Sequence, residues 1–134
     1  MSAIETLHAF LKDAETYYLA TTDGDQPRVR PFGTATLFEG RIYILTAKSK
    51  DVSKQIAANS KFEISAMDKQ GRWIRVSGVL TADNRKEVHE ALLADYPHLG
   101  SMYTAGDDNT NALYLDQIKA TICSFTAAPE ELQF

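Results

Sequence analysis

The segment Arg28–Thr46, RVRPFGTATLFEGRIYILT, strings β-branched and aromatic residues on both sides of Glu39-Gly40. Such composition favours extended backbone, and a Glu-Gly pair between two such runs predicts a tight turn. The segment therefore reads as a hairpin, with a long strand from about Arg28 to Phe38 and a second from Arg41 to Thr46. Hairpin-sized turns pair strands antiparallel. Upstream, Thr16–Thr22 reads as another strand and Asp23–Pro27 as its turn. Ser2 followed by Glu5 forms a capping box, and Ile4, Leu7, Phe10 and Leu11 share one face of the helix it opens.

Downstream the pattern continues. Asp51 or Ser49 can cap a short helix, about Val52–Ala58. Lys61–Met67 and Arg72–Ala82 read as strands joined by Lys69-Gln70-Gly71, and Asp83 caps a helix from about Asn84 to Asp95. Ala112–Phe125 holds one or two further strands, and the tail, residues 127–134, is expected to be loose. In Arg72–Ala82, Ile74, Val76, Gly78 and Leu80 fall on one face, and Trp73, Arg75, Ser77 and Val79 on the other. The first set suits a barrel interior, and the second, both aromatic and polar, suits a ligand or subunit interface. Six or seven strands with few helices to cover a flat sheet favour a closed or nearly closed barrel, mainly β within the α+β class.

Composition narrows the function. The 134 residues suit a single domain, 44% hydrophobic and 24% charged. No apolar run approaches a membrane span, and no secretory signal is visible at the start. One cysteine, Cys123, builds neither an internal disulfide nor a zinc site, so a cytoplasmic location is expected. The net charge of −4 argues against a nucleic-acid partner. No Gly-x-Ser-x-Gly, HExxH, Walker loop or Gly-x-Gly-x-x-Gly is present, so no metal is expected and no side chain stands out as a catalytic acid or base.

The charge is unevenly spread. Arg28, Arg30, Arg41, Lys48, Lys50 and Lys54 face only Glu39 and Asp51 within the same span, a local +4 in an acidic chain. Taken one by one, these are ordinary solvated cations, with Arg28 able to pair with Asp25. Taken together on one hairpin they describe a site for a small anion carrying a flat ring. Arg28 and Arg30 project to one face, beside Phe32. Lys48-Ser49-Lys50-Asp51 lies just ahead of a helix N-terminus, where backbone N–H groups and the helix dipole favour phosphate.

These features resemble the pyridoxamine 5′-phosphate oxidase-like family of FMN-binding split barrels. The matching elements are Tyr18-Leu19-Ala20-Thr21-Thr22, Pro27-Arg28-Val29-Arg30-Pro31, Tyr43-Ile44-Leu45-Thr46 with Ser49-Lys50-Asp51-Val52, and Trp73-Ile74-Arg75-Val76-Ser77-Gly78. The resemblance implies a six-stranded antiparallel split β-barrel with flanking short helices, dimerising around two FMN sites. It implies that Arg28, Val29, Arg30 and Pro31 line the ring and ribityl chain, and that Leu45 and Thr46 contact the flavin through backbone or hydroxyl groups. Ser49, Lys50 and Lys54 would hold the phosphate, with Trp73 and Arg75 supplied by the partner subunit or the dimer wall. The activity implied is a flavin-dependent oxidoreductase. A non-catalytic flavin or haem carrier, a redox sensor, a deazaflavin enzyme and an empty structural barrel stand as alternatives. The segment Thr126–Phe134 holds no Arg or His, which speaks against oxidation of pyridoxine phosphate.

Overall fold

The computed structural model describes all residues, 1–134, and sets three α-helices around one antiparallel sheet. Helix α1 (Ala3–Ala14) opens on the expected box. The Ser2 hydroxyl accepts the Glu5 N–H at 3.2 Å, and the Glu5 carboxylate accepts the Ser2 N–H at 3.0 Å. Strands β1 (Tyr17–Asp23) and β2 (Gln26–Phe32) form one hairpin, and β3 (Thr36–Phe38) and β4 (Arg41–Ala47) a second. The second turns on Glu39 and Gly40, both at positive φ. Helix α2 (Asp51–Ala58), β5 (Lys61–Met67), β6 (Trp73–Ala82), α3 (Lys86–Asp95), β7 (Thr110–Cys123) and β8 (Glu130–Leu132) complete the chain. The spatial order is β2-β1-β5-β6-β7-β4-β3, with β8 on β7.

The architecture is the expected mainly β barrel, with differences in the strands. Arg28–Phe38 is not one strand. It breaks at Gly33-Thr34-Ala35, so β2 pairs with β1 and only β3 pairs with β4. The seven-residue β2 is an edge strand containing Pro27 and Pro31. Their shared parity puts both missing N–H groups on the open side, where no ladder bond is lost. The tail is not wholly loose either, because Glu130, Glu131 and Leu132 pair with Ile122, Thr121 and Ala120. The two short strands β3 and β8 bring the count to eight rather than six.

Closure follows from connectivity. The two ends of the strand order, β2 and β3, are joined by only three residues, so the sheet must curl until its edges nearly meet. Thr34 stitches that gap. Its carbonyl accepts the Tyr17 hydroxyl at 2.6 Å, and its hydroxyl accepts the Leu45 N–H at 3.0 Å. Inside lies the main core, with Leu19, Ile44, Ile64, Ile74 and Val76 from the strands and Leu7, Phe10 and Leu11 from α1. A second cluster, including Tyr43, Leu45, Val88, Leu92 and Ala112, seats α3 on the other side of β4.

Strand β7 is long enough to serve both halves, and it bends at its own bulge, where one residue of β6 between Ser77 and Val79 faces two of β7, Gln117 and Ile118. Gly78 sits at that bulge. A Cβ there would lie 2.4 Å from the Asp116 carbonyl oxygen, so only glycine fits.

Candidate functional site

Parity along the first hairpin divides its residues between two faces. The register pairs Thr21 with Arg28 and Leu19 with Arg30, while Ala20 pairs with Val29 and Tyr18 with Pro31. Both arginines therefore project to the side of buried Leu19 and Thr21, where α2 packs on β1. Here lies an open groove of about 790 Å³, lined among others by Arg28, Val29, Arg30, Lys50, Lys54 and Gln55. The cations assemble across α2 and the β1–β2 hairpin, rather than along one β2–β4 hairpin.

The four groove cations differ in what they already hold. Arg30 is half-buried and engaged. Its Nη1 donates to the Thr21 hydroxyl at 2.7 Å and to the Leu19 carbonyl at 3.2 Å, and its Nη2 donates to Gln55 Oε1 at 2.7 Å. Burial, and then the neighbouring Arg28 charge, hold its pKa below the usual arginine value. Arg28 is exposed and meets Asp23, not Asp25, at 3.4 Å. Lys50 reaches only the Tyr103 hydroxyl, at 3.5 Å, and neither Lys50 nor Lys54 makes an ion pair.

Helix α2 begins at the same end. Lys50 itself occupies the N-cap position and offers no side-chain acceptor, so neither Asp51 nor Ser49 caps the helix as expected. The first N–H groups of α2, from Asp51 and Val52, have no intrahelical acceptor. Uncapped donors beside two unpaired ammonium groups make a site for a phosphate-sized anion. Asp83 likewise falls short of capping α3. It lies two residues before the N-cap Arg85 and binds that side chain instead, at 2.9 and 3.0 Å.

The remaining expected residues lie elsewhere. Pro31 points to the opposite sheet face, away from the arginines. Leu45 is buried beneath α3, and Thr46 is buried in β4 opposite Asn111. Neither side chain lines the groove. Ser49 is exposed, and its N–H is held by Asn109 Oδ1 at 3.1 Å. Trp73 and Arg75 stand on the outer face of β6, where Trp73 lies 5.1 Å from the Phe125 ring and Arg75 lies 3.6 Å from Glu63. Two residues that the sequence reading passed over are Gln55, which joins Arg30 to Thr21, and Tyr103, which meets Lys50. No motif marks either, because both act through chain segments distant in sequence.

A second groove, of about 670 Å³, lies between the start of α1, Gly40-Arg41 and the β7 bend. Its Arg41 is stacked over the Tyr114 ring at 4.2 Å, and Asp116 stands among its lining residues, so it lacks the free cations of the first. No group of three or more His, Cys, Asp or Glu side chains could hold a metal ion, and no helix is long and apolar enough to cross a membrane.

An antiparallel split barrel with a cation-lined groove at its edge is the class of protein that fold and site define. The chain belongs to the pyridoxamine 5′-phosphate oxidase-like family, whose profile matches residues 2–121. Among solved structures it is similar to a NimC/NimA family protein from Clostridium acetobutylicum, with 42% identity, 98% of this chain and 92% of that chain covered, and a TM-score of 0.94. It shares its fold with a haem-binding protein from Mycobacterium smegmatis, at 12% identity over 99% of this chain and 58% of that one, with a TM-score of 0.78. It shares it also with a pyridoxamine 5′-phosphate oxidase-related, FMN-binding protein from Nostoc punctiforme PCC 73102, at 16% identity over 97% and 96%, with a TM-score of 0.63. No curated protein matches the chain.

Proposed function

We propose that this chain is a cytoplasmic FMN-binding oxidoreductase, working as a homodimer with its flavin sites between subunits. The observation that carries the reading is the convergence of Arg28, Lys50 and Lys54 on one groove at the start of α2. FMN joins a phosphate to a flat ring system rich in carbonyl and ring-nitrogen acceptors. Lys50, Lys54 and the first N–H groups of α2 suit the phosphate. Arg28, tied only to an exposed Asp23, is free to donate to ring oxygens and to favour the anionic reduced ring. Arg30 holds the groove's wall in place rather than offering all its donors to the ligand. Bound FMN would supply the electron transfer, while the protein contributes binding, orientation and charge.

Dimerisation is supported by the outer sheet face. Tyr18, Val29 and Met67 are 52%, 67% and 58% exposed, and Phe125, against Trp73, is 91% exposed. Cross-strand register places Tyr18, Val29, Met67 and Trp73 on a single face. An apolar patch of that extent marks an interaction surface. Val29 also borders the groove, so a second copy on this face would bring its own residues to the flavin.

The haem reading draws less support. The groove lining contains no His, Cys, Met or Tyr, the side chains that serve as axial iron ligands. The test is the chromophore of the purified protein. Flavin absorption bands, identification of FMN after release, bleaching by NADH or NADPH and recovery with an electron acceptor are the expected results. A haem spectrum, or a colourless protein that FMN does not titrate, overturns the reading.

A further inference from the structure

His89 is 1% exposed and lies in α3, far from the groove in sequence. Its Nδ1 lies 2.9 Å from the Gly106 nitrogen, and its Nε2 lies 2.8 Å from Asn84 Oδ1. A backbone N–H can only donate, so Nδ1 is the acceptor and Nε2 carries the proton. Asn84 Oδ1 also accepts the Ala112 N–H at 2.7 Å, which fixes the orientation of the Asn84 amide. Asn84 Nδ2 then donates to Asn111 Oδ1 at 3.1 Å, and Asn111 Nδ2 donates to the Ser53 hydroxyl at 3.0 Å. The Ser53 hydroxyl donates to the Ala47 carbonyl at 2.7 Å, and that same carbonyl accepts the Lys50 N–H at 3.1 Å.

Every bond in this chain is donated in the same sense, from Gly106 to Ala47. Bonds aligned in this way polarise one another in a buried setting. A second route joins the same ends. The segment anchored at Gly106 continues to Asn109, whose carbonyl accepts the Lys48 N–H at 2.7 Å and whose side chain accepts the Ser49 N–H at 3.1 Å. Both routes from His89 therefore end on Ala47–Lys50, the segment that presents Lys50 to the groove. No buried side-chain polar atom in the molecule lacks a partner, and a break at His89 leaves the Gly106 N–H without its acceptor and takes one of the two donors from Asn84 Oδ1.

We propose that His89 is a positioning residue for the anion-binding loop Lys48–Lys50, holding it through this directed hydrogen-bond relay. The ligand half of the inference rests on the FMN reading above, and the loop half does not. Gln can present one acceptor and one donor in the same sense as the imidazole, whereas Leu can present neither.

The test uses the full chain as wild type, His89→Gln and His89→Leu, with two readouts. In amide hydrogen exchange without added flavin, His89→Leu should speed exchange of the Lys48 and Ser49 amides by about tenfold or more while leaving Leu11 in α1 unchanged, and His89→Gln should stay near wild type. In titrations, His89→Leu should weaken FMN binding by about tenfold and riboflavin by less than about threefold. Unchanged protection at Lys48 and Ser49 in His89→Leu, or equal loss of both flavins, overturns the proposal. So does a His89→Gln variant as impaired as His89→Leu. Should His89→Leu fail to fold, Ser53→Ala cuts the last link of the side-chain route without disturbing α3, and wild-type protection of the Lys50 amide, which shares the Ala47 carbonyl with Ser53, overturns the relay. If the exchange result holds but wild type binds no FMN, the flavin reading falls and the positioning role stands.

Discussion

Arg30 Nη2 donates to Gln55 Oε1 at 2.7 Å, and the Thr21 hydroxyl donates to the same oxygen at 2.6 Å. One acceptor thus binds β1, β2 and α2 together, and the guanidinium that the basic island suggested for ligand binding is largely committed to building the wall. Arg30→Ala should therefore weaken FMN and riboflavin alike and lower stability by about 1–3 kcal/mol. Arg30→Lys should not restore either, because one ammonium cannot reproduce the fork. Flavin titration with urea denaturation of both variants checks this. Full stability together with a loss confined to FMN would instead place Arg30 at the phosphate.

Lys50 carries the opposite signature. Its only side-chain partner is the Tyr103 hydroxyl, at 3.5 Å. Charge-assisted hydrogen bonds contribute about 1.5–3 kcal/mol, so Lys50→Ala should weaken FMN binding roughly tenfold to a hundredfold. Riboflavin has the same ring without the phosphate, and its affinity should hardly move. Paired titrations at fixed salt make the comparison, and equal loss for both ligands would remove Lys50 from the phosphate site.

The outer sheet face gives a third expectation. An obligate interface buries roughly 2,000 Å² or more, and Tyr18, Met67, Trp73 and Phe125 supply an apolar centre for one. A charge there must be desolvated on association. Met67→Glu should shift the protein to a monomer in sedimentation at micromolar concentration and weaken FMN binding with it. A Met67→Glu dimer of wild-type affinity would place the interface elsewhere.

Acid stability has an identifiable source. The Arg85 side chain first, with further help from the Tyr43 hydroxyl, lowers the Asp83 pKa from 3.8 to about 2, against the cost of its burial. A carboxylate whose folded pKa is depressed stabilises the fold above its unfolded pKa, and that contribution fades as pH falls through the folded value. The stabilisation from Asp83 should thus be complete above 3.8 and fade towards about 2. Asp83→Asn should be less stable than wild type at neutral pH, with the gap closing across that window. Thermal unfolding at stepped pH measures it, and a constant gap would remove Asp83 as the cause.

The sequence carries most features that depend on neighbours along the chain, the caps of α2 and α3 excepted. The Ser2–Glu5 box, the Glu39-Gly40 turn, the alternation of β6 and the clustering of cations between Arg28 and Lys54 are all legible there, because caps, turns and pleats are settled within a few residues. What needed the tertiary structure was which segments meet. Gly33-Thr34-Ala35 reads as strand until barrel closure requires a crossing between the two edges. Leu45 and Thr46 suit a ligand or a core equally until α3 and β7 cover them. Trp73 and Arg75 are separated from the arginines of β2 by two strands, β5 and β1, within one protomer, in keeping with their expected place on a partner subunit or dimer wall. Gln55, Tyr103 and His89 acquire their roles only through partners dozens of residues away. Alternation tells which residues share a face of a strand, but not which strand or helix that face will meet. That choice is made by burying the whole apolar surface at once.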